Sequence, residues 1–302
     1  GPARVAAFRY VILGATGASL YLLGVGYLYV ATGSLNLADL GQRVAEAGDL
    51  APAALAFIVA GLGIKMGLFP LHAWMPDAYS RAPSATAAFV APITTKVMAL
   101  AMIRYLHQVF DGETVLGPLA VGHIVAMMGA VAVVVGAMLA ITQSDFRRLL
   151  AWSSISQVGY IAIGIGIGSD LALAAALLHV LNHALMKGAL FQVAGAAGVW
   201  RMQDLRGLGR RMPITAVCLS IAGLSLVGIP PMGGFFSKWY LLEAAVAAGR
   251  PVLVVAILLG SLCAVFYVLR VLELVFLQPP ADYDERSEPG CSMTLPLALT
   301  AA

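Results

Sequence analysis

Eight long apolar runs dominate this sequence, and each has the length of about 20 residues that a helix needs to cross a lipid bilayer. They cover residues 10–31, 52–71, 84–107, 119–141, 149–168, 171–199, 214–248 and 252–277. Inside lipid every backbone N–H and C=O group must be satisfied within the segment, and runs of this length with glycine throughout do not resemble barrel strands. The sequence therefore predicts an all-α polytopic membrane protein with about eight transmembrane helices.

The composition excludes several other classes of protein. Hydrophobic residues make up 61% of the chain and charged residues 11%, with a mean hydropathy of +0.90, whereas a soluble domain is roughly 45–50% apolar and about 25% charged. A soluble or disordered chain is excluded by these values. Nucleic acid is not an expected partner, because the chain has only four lysines and a net charge of +3. The three scattered cysteines predict neither a disulfide framework nor a zinc site.

Arginines predict the orientation. Successive spans place the loops alternately on the two sides of the membrane. The loops on the same side as the N-terminus carry ten arginines, and those on the opposite side carry two. The ten are Arg4, Arg9, Arg81, Arg147, Arg148, Arg201, Arg206, Arg210, Arg211 and Arg286. By the positive-inside rule we expect both ends to be cytoplasmic and the protein to lie in the cell inner (plasma) membrane. The chain begins without Met and stops within a short apolar run, so we expect it to be a slice of a longer polytopic chain.

Two of the runs look broken by closely spaced prolines. Pro70 and Pro76 follow one another closely at the end of the second run, and Pro230 and Pro231 lie in the middle of the seventh, which is far longer than one span requires. Proline removes a helix hydrogen-bond donor and clashes with the preceding turn. A plain proline kink explains each break alone. A pair of interrupted helices is typical of a transporter site between two halves of a fold.

All four lysines fall inside predicted spans and none lies in a loop. They are Lys65, Lys96, Lys187 and Lys238. A lysine at the centre of a span costs roughly 2.5–3.5 kcal/mol. Snorkelling to the interface could explain Lys65 or Lys238, but Lys96 and Lys187 are near mid-span and must face protein or water.

The sixth span adds two histidines to one of these lysines. His179, His183 and Lys187 are four residues apart and share one helical face, beside Asn182. Histidine titrates near neutral pH and burial favours the neutral form of lysine, so this stripe can exchange protons. Two other interpretations of this stripe remain. The histidines could bind a metal ion, which the charge of Lys187 disfavours, or they could be core residues whose nitrogens form structural hydrogen bonds. His72 and Glu243 are possible accessory residues, Glu243 as an acidic neighbour of Lys238.

The motifs around these residues resemble the antiporter-like membrane subunits. The similarity covers nearly the whole chain and is carried by residues 64–78, 95–96, 179–191 and 233–238. The family includes the D subunit of Mrp-type cation/proton antiporters, the antiporter-like subunits of respiratory complex I, and subunits of membrane-bound hydrogenases. The motifs around Lys65 and His183 look most similar to the Mrp D subunit.

The resemblance implies about fourteen helices, in two inverted five-helix bundles with one broken helix each. We therefore expect residues 1–302 to form a single transmembrane domain, with 10–107 in the first bundle and 119–277 in the second. Lys65 and Lys238 match the lysines of the two broken helices, Lys96 matches a linking lysine, and His179, His183 and Lys187 match the central polar axis. The family's glutamate that pairs with the lysine matching Lys65 would precede the first span.

The function that we infer from the sequence is proton translocation coupled to exchange of Na⁺ or another monovalent cation, together with other membrane subunits. The alternative is a proton-pumping subunit of an NADH:quinone oxidoreductase or hydrogenase complex, and a third possibility is a structural scaffold. The sequence contains no redox motif, nucleotide loop or quinone signature. We therefore expect a translocase subunit with no cofactor and no redox centre of its own.

Overall fold

The computed structural model describes residues 1–110, 115–116, 119–280 and 287–301, and it is almost entirely helical. The α-helices of this part are α1 (Pro2–Thr32), α2 (Leu37–Arg43), α3 (Leu50–Met66), α4 (Met75–Arg81), α5 (Ser84–Arg104), α6 (Val121–Ile141), α7 (Phe146–Ile167), α8 (Asp170–Ala196), α9 (Leu208–Arg211), α10 (Pro213–Val227), α11 (Gly233–Ala247), α12 (Pro251–Phe276) and α13 (Cys291–Ala301). A π-helical turn, Tyr105–Val109, continues α5. Two short antiparallel strands, β1 (Val115–Leu116) and β2 (Leu119–Ala120), precede α6. The all-α class is confirmed.

Six helices of the described residues are long and apolar enough to cross a membrane: α1, α5 with its π turn, α6, α7, α8 and α12. The predicted count of eight spans is not confirmed, because two predicted runs do not form single long helices. The run 52–71 contains α3, which has 17 residues, and the run 214–248 is divided into α10 and α11, which have 15 residues each.

Both interruptions lie where the prolines predict them. Gly67, with a φ of 74°, ends α3, and the chain passes through a cis Phe69–Pro70 peptide before α4 begins. Gly228, with a φ of 90°, ends α10, and a cis Pro230–Pro231 peptide follows before α11 begins. Glycine suits both positions because a left-handed backbone carries no Cβ clash there. Each interruption leaves the last carbonyls of its first half-helix without helical partners.

Helix α7 lies at the centre of the fold. It packs against α6 and α8 and contacts α4, α5, α11 and α12 as well. Nearly all of its side chains are buried, including the polar ones from Ser153 to Gln157. Because polar groups buried in this way need partners inside the protein, α7 is the element around which a polar site can form.

The charged and apolar residues between the first two predicted spans, 32–51, indicate an amphipathic loop, but the structure is partly helical there. This segment contains α2 and a 3₁₀ turn, Val44–Ala47. Asn36 caps α2, its side chain accepting a hydrogen bond from the Ala38 amide, and Arg43 lies 3.1 Å from Glu46 and 3.7 Å from Asp39. This local capping and charge pairing stabilises helix where the hydropathy pattern indicated only an amphipathic connection.

Several of the predicted loop arginines lie in helices, and one of those in the described residues is buried. Arg147 belongs to the first turn of α7 and is buried. Its guanidinium lies 3.9 Å from the ring centroid of Trp200 and donates hydrogen bonds to Ser84 and to the carbonyls of Ala82 and Val199. The side chain therefore joins the ends of several helices, on the side that the arginine distribution predicts to be cytoplasmic. Arg286 lies outside the described residues.

Candidate functional site

The stripe on α8 faces α7 and is buried over its whole length. His179, His183 and Lys187 are each almost completely shielded from solvent. The Lys187 Nζ donates hydrogen bonds to the Leu150 carbonyl at 3.0 Å and to the Ser153 hydroxyl at 2.6 Å. Both partners belong to α7, so one turn of that helix supplies the dipoles that hold the amine.

The two histidines of the stripe have different surroundings. His179 Nδ1 lies 2.9 Å from the Ser237 hydroxyl, and its Nε2 lies 3.0 Å from Gln157 Oε1. The His183 ring is roughly parallel to it, with centroids 6.2 Å apart, but neither buried His183 nitrogen has a hydrogen-bond partner in the described part of the chain. Proton transfer between the two rings therefore requires an intervening water molecule or a rotation of His183.

Lys238 lies at the second interruption, in the second turn of α11. Its Nζ donates hydrogen bonds to the carbonyls of Leu226 at 2.8 Å and Val227 at 3.0 Å, the last two residues of α10. These oxygens are free because α10 ends there. The same ammonium lies 4.6 Å from the ring centroid of Tyr160, in a cation–π arrangement. The interruption thus creates a binding site for the lysine's charge.

Lys96 joins this cluster from α5, which packs against α8. Its side chain is buried and its Nζ donates to the Ala91 carbonyl at 2.8 Å. His183 and Lys187, on the facing helix α8, are buried as well. The structure therefore brings together a buried row made of Lys96, His183, Lys187, His179 and Lys238.

Of the other predicted site residues, Lys65, His72 and Glu243 lie away from this row and Asn182 lies beside it. Lys65 is half-buried at the end of α3, with its stem against Gly17 of α1. His72 stacks on Phe69 in the first interruption, with ring centroids 4.9 Å apart. Asn182 does lie beside the row, because its amide donates to Ser237.

Glu243 is exposed, and Lys238 is bonded to carbonyls instead. The structure therefore does not place Glu243 as the acidic neighbour of Lys238. The reason is helical phase, since residues five apart point in different directions around an α-helix.

Sequence reasoning missed four residues that contact the row: Ser153, Gln157, Tyr160 and Ser237. The first two belong to a polar run of residues 153–157 inside an otherwise apolar span, which was a usable signal. Tyr160 and Ser237 gave no comparable signal, because isolated residues of these types are common in membrane helices.

The chemistry of the row follows from its partners. Its amines are held by carbonyl and hydroxyl oxygens, whereas the ion pairs of the described residues involve Arg9, Arg43 and Arg148 outside the row. Because like charges repel strongly in a poorly polarisable interior, these groups cannot all be charged at once. The described residues contain no group of three His, Cys, Asp or Glu side chains that could hold a metal ion.

Comparison with known proteins gives consistent matches. The family "NADH:quinone oxidoreductase/Mrp antiporter, TM" matches residues 3–264. The N subunit of NADH-quinone oxidoreductase from Desulforudis audaxviator is 46% identical over 296 residues, covering 95% of this chain and 59% of that protein. The D subunit of the Na(+)/H(+) antiporter from Alkalihalophilus pseudofirmus is 34% identical over 275 residues, covering 89% of this chain and 55% of that protein.

The fold matches a solved structure closely. A chain of the membrane-bound sulfane sulfur reductase, an archaeal respiratory membrane complex, superimposes with a TM-score of 0.90 and 32% identity, covering 100% of this chain and 62% of the other. This chain thus spans about 60% of the length of the relatives that it matches. With the family match over residues 3–264 and this agreement in fold, the chain belongs to the NADH:quinone oxidoreductase/Mrp antiporter transmembrane family.

Proposed function

We propose that this chain translocates protons as a membrane subunit of a redox-driven complex of the NADH:quinone oxidoreductase type. The observation that carries the proposal is the buried row of Lys96, His183, Lys187, His179 and Lys238. Such charges are costly at membrane depth and are retained where they serve ion or proton movement. A structural scaffold would gain nothing from them.

Sequence identity to the relatives decides between a redox reaction and cation exchange as the proposed driving force. The N subunit from Desulforudis audaxviator is 46% identical to the chain, whereas the antiporter D subunit from Alkalihalophilus pseudofirmus is 34% identical. The comparisons therefore favour the redox-driven alternative over the Mrp-type cation exchange that the local motifs suggested. Exchange of Na⁺ for protons is the second candidate, supported by the antiporter relative.

We assign each residue a role from its contacts. Lys187 and Lys238 hold a proton at sites made of carbonyl and hydroxyl oxygens, and His179 and His183 connect them. Lys96, buried on α5 where that helix packs against α8, holds a further proton at the Ala91 carbonyl. Lys65, beside the first interruption, and His72, within it, would serve a separate part of the path. The membrane is the plasma membrane, and the partners are other membrane subunits that supply the redox chemistry.

The driving force can be tested in everted vesicles that contain the intact complex. Acidification of the lumen is followed by quenching of a pH-sensitive dye, first with NADH and then with an imposed Na⁺ gradient. We expect the NADH response to depend on Lys96, so that Lys96→Ala abolishes it. A Na⁺-driven response that is sensitive to Lys96→Ala, with no NADH response, would support the second candidate. If Lys96→Ala leaves both responses unchanged, the proposal is wrong.

A further inference from the structure

His179 lies in the middle of a chain of side-chain hydrogen bonds that crosses three helices. The Asn182 amide, on α8, donates to the Gly233 carbonyl at 2.7 Å and to the Ser237 oxygen at 3.3 Å. Ser237, on α11, lies 2.9 Å from His179 Nδ1. On the other side of the ring, His179 Nε2 lies 3.0 Å from Oε1 of Gln157, on α7.

The donors and acceptors of this chain fix its direction. A carbonyl oxygen such as Gln157 Oε1 can only accept, so His179 Nε2 must carry the hydrogen. A neutral imidazole has one N–H group, so Nδ1 is then the acceptor and the Ser237 hydroxyl donates to it. Since Asn182 already donates to the Ser237 oxygen, the hydroxyl hydrogen is free to point at the ring.

Ser237 also has a second acceptor within reach, the Gly234 carbonyl at 3.2 Å. If Nδ1 gains a proton, the hydroxyl can turn to that carbonyl while its oxygen accepts the new N–H. The imidazolium then donates to Ser237 at Nδ1 and to Gln157 at Nε2. Both protonation states of His179 are thereby satisfied with the same heavy-atom positions.

We propose that Gln157, Asn182 and Ser237 are positioning residues that keep the hydrogen of neutral His179 on Nε2, so that the proton gained in transport enters at Nδ1. Nδ1 faces α11, where Ser237 directly precedes Lys238. His179 therefore exchanges its proton on the side of the second broken helix. The transport part of this inference rests on the proposed function, whereas the position of the hydrogen does not.

The position of the hydrogen can be measured directly by solid-state NMR of the intact protein in lipid bilayers, with ¹⁵N-labelled histidine. The His179 signals are assigned by their loss in His179→Gln. At a pH where the ring is neutral, we expect a protonated Nε2 and an unprotonated Nδ1. Gln157→Leu removes the acceptor, so the hydrogen should move to Nδ1 in most molecules, and Gln157→Glu should restore the original form.

Two further variants make the measurement specific. Ser156→Ala is the matched control, because Ser156 is buried on the same helix but donates to Val133 rather than to His179, and its spectrum should equal that of the unmodified protein. Ser237→Ala should keep the hydrogen on Nε2 and move the Nδ1 signal downfield, as loss of its hydrogen bond requires. This variant tests the contact if Gln157→Leu does not fold.

The inference is overturned if the unmodified protein carries the hydrogen on Nδ1, or if Gln157→Leu and Ser237→Ala both leave the signals unchanged. Failure of the proposed function would look different. In that case His179→Gln would pump protons normally in vesicles, while the NMR signals still showed the hydrogen on Nε2.

Discussion

The amines of the buried row are bonded to neutral oxygens, and this determines what they can do. Lys187 has one carbonyl and one hydroxyl partner, and Lys238 has two carbonyl partners and an aromatic face. A carboxylate would hold a lysine permanently charged, whereas these dipoles stabilise the ammonium only moderately against the cost of burial. The proposed relay therefore requires both lysines to alternate between charged and neutral forms.

Replacing Lys238 by arginine tests this alternation. Lys238→Arg keeps the positive charge, but guanidinium stays protonated at any physiological pH. We expect normal assembly and a loss of proton pumping of about tenfold or more, because the relay step needs the neutral form. Dye quenching in vesicles, normalised to the amount of assembled complex, measures the effect.

The matched control is Arg43→Lys, on α2, which also keeps the positive charge and whose partners Asp39 and Glu46 lie outside the row. It should pump at the unmodified rate. Full pumping by Lys238→Arg would mean that Lys238 is only a structural cation.

Sequence alone identified the charged residues of the row but not the groups that hold them. Lysine and histidine inside an apolar span stand out because they are expensive there. Serine does not stand out, because its hydroxyl can donate a hydrogen bond to a carbonyl in the preceding turn of its own helix, as Ser154 does to Leu150. Whether Ser153 or Ser237 instead faces the row depends on how α7, α8 and α11 pack. The expectation that Glu243 lies beside Lys238 was wrong for a local reason, because residues five apart point in different directions around an α-helix.

At the scale of elements, the two interruptions were predictable because they are local. Pro70, Pro230 and the glycines before them fix the backbone wherever the chain lies. The contact made across the interruption at Gly228 was not predictable in this way. Lys238, on α11, donates hydrogen bonds to the last carbonyls of α10, which depends on how the two helices pack. That contact needs the two half-helices to lie very close together.

Gly234 makes this approach possible, so we expect Gly234→Ala to separate α10 from α11. A Cβ added at this position would overlap the Ser225 carbonyl. Overpacking of this kind costs about 1–3 kcal/mol, and the shift would draw Lys238 away from its carbonyls. A lower unfolding temperature together with slower pumping is the expected result.

Gly26→Ala, in α1, provides the comparison, because a Cβ there meets no atom within 4 Å. Alanine in a helix interior is favoured over glycine by roughly 0.5–1 kcal/mol, so this variant should be at least as stable as the unmodified protein. Equal unfolding temperatures and pumping rates in the two variants would show that neither stability nor pumping requires the close approach of α10 and α11.

At the scale of the whole molecule, the structure gathers positive residues at one end of the helices. Arg9, near the start of α1, and Arg148, near the start of α7, both approach Asp77, at 2.9 Å and 3.7 Å. Arg147 joins the same end from within the fold. The alternation of the helices places the loop 200–212 at this end too. The positive-inside rule therefore predicts that this end is cytoplasmic.

Cysteine labelling tests the orientation. In a cysteine-free background, Gln203→Cys should react with a membrane-impermeant maleimide in everted vesicles and not in intact cells. Gln42→Cys, exposed in the connection after α1, should show the opposite pattern. If Gln203→Cys is labelled in intact cells, the orientation is reversed.

The central claim is that the buried row carries protons, and Lys187 is its most enclosed amine. Lys187→Ala in the intact complex should abolish the NADH-driven pH gradient in everted vesicles while leaving assembly largely intact. Leu181→Ala, on the exposed face of the same helix, should leave the gradient unchanged. A full pH gradient in Lys187→Ala vesicles would contradict the account.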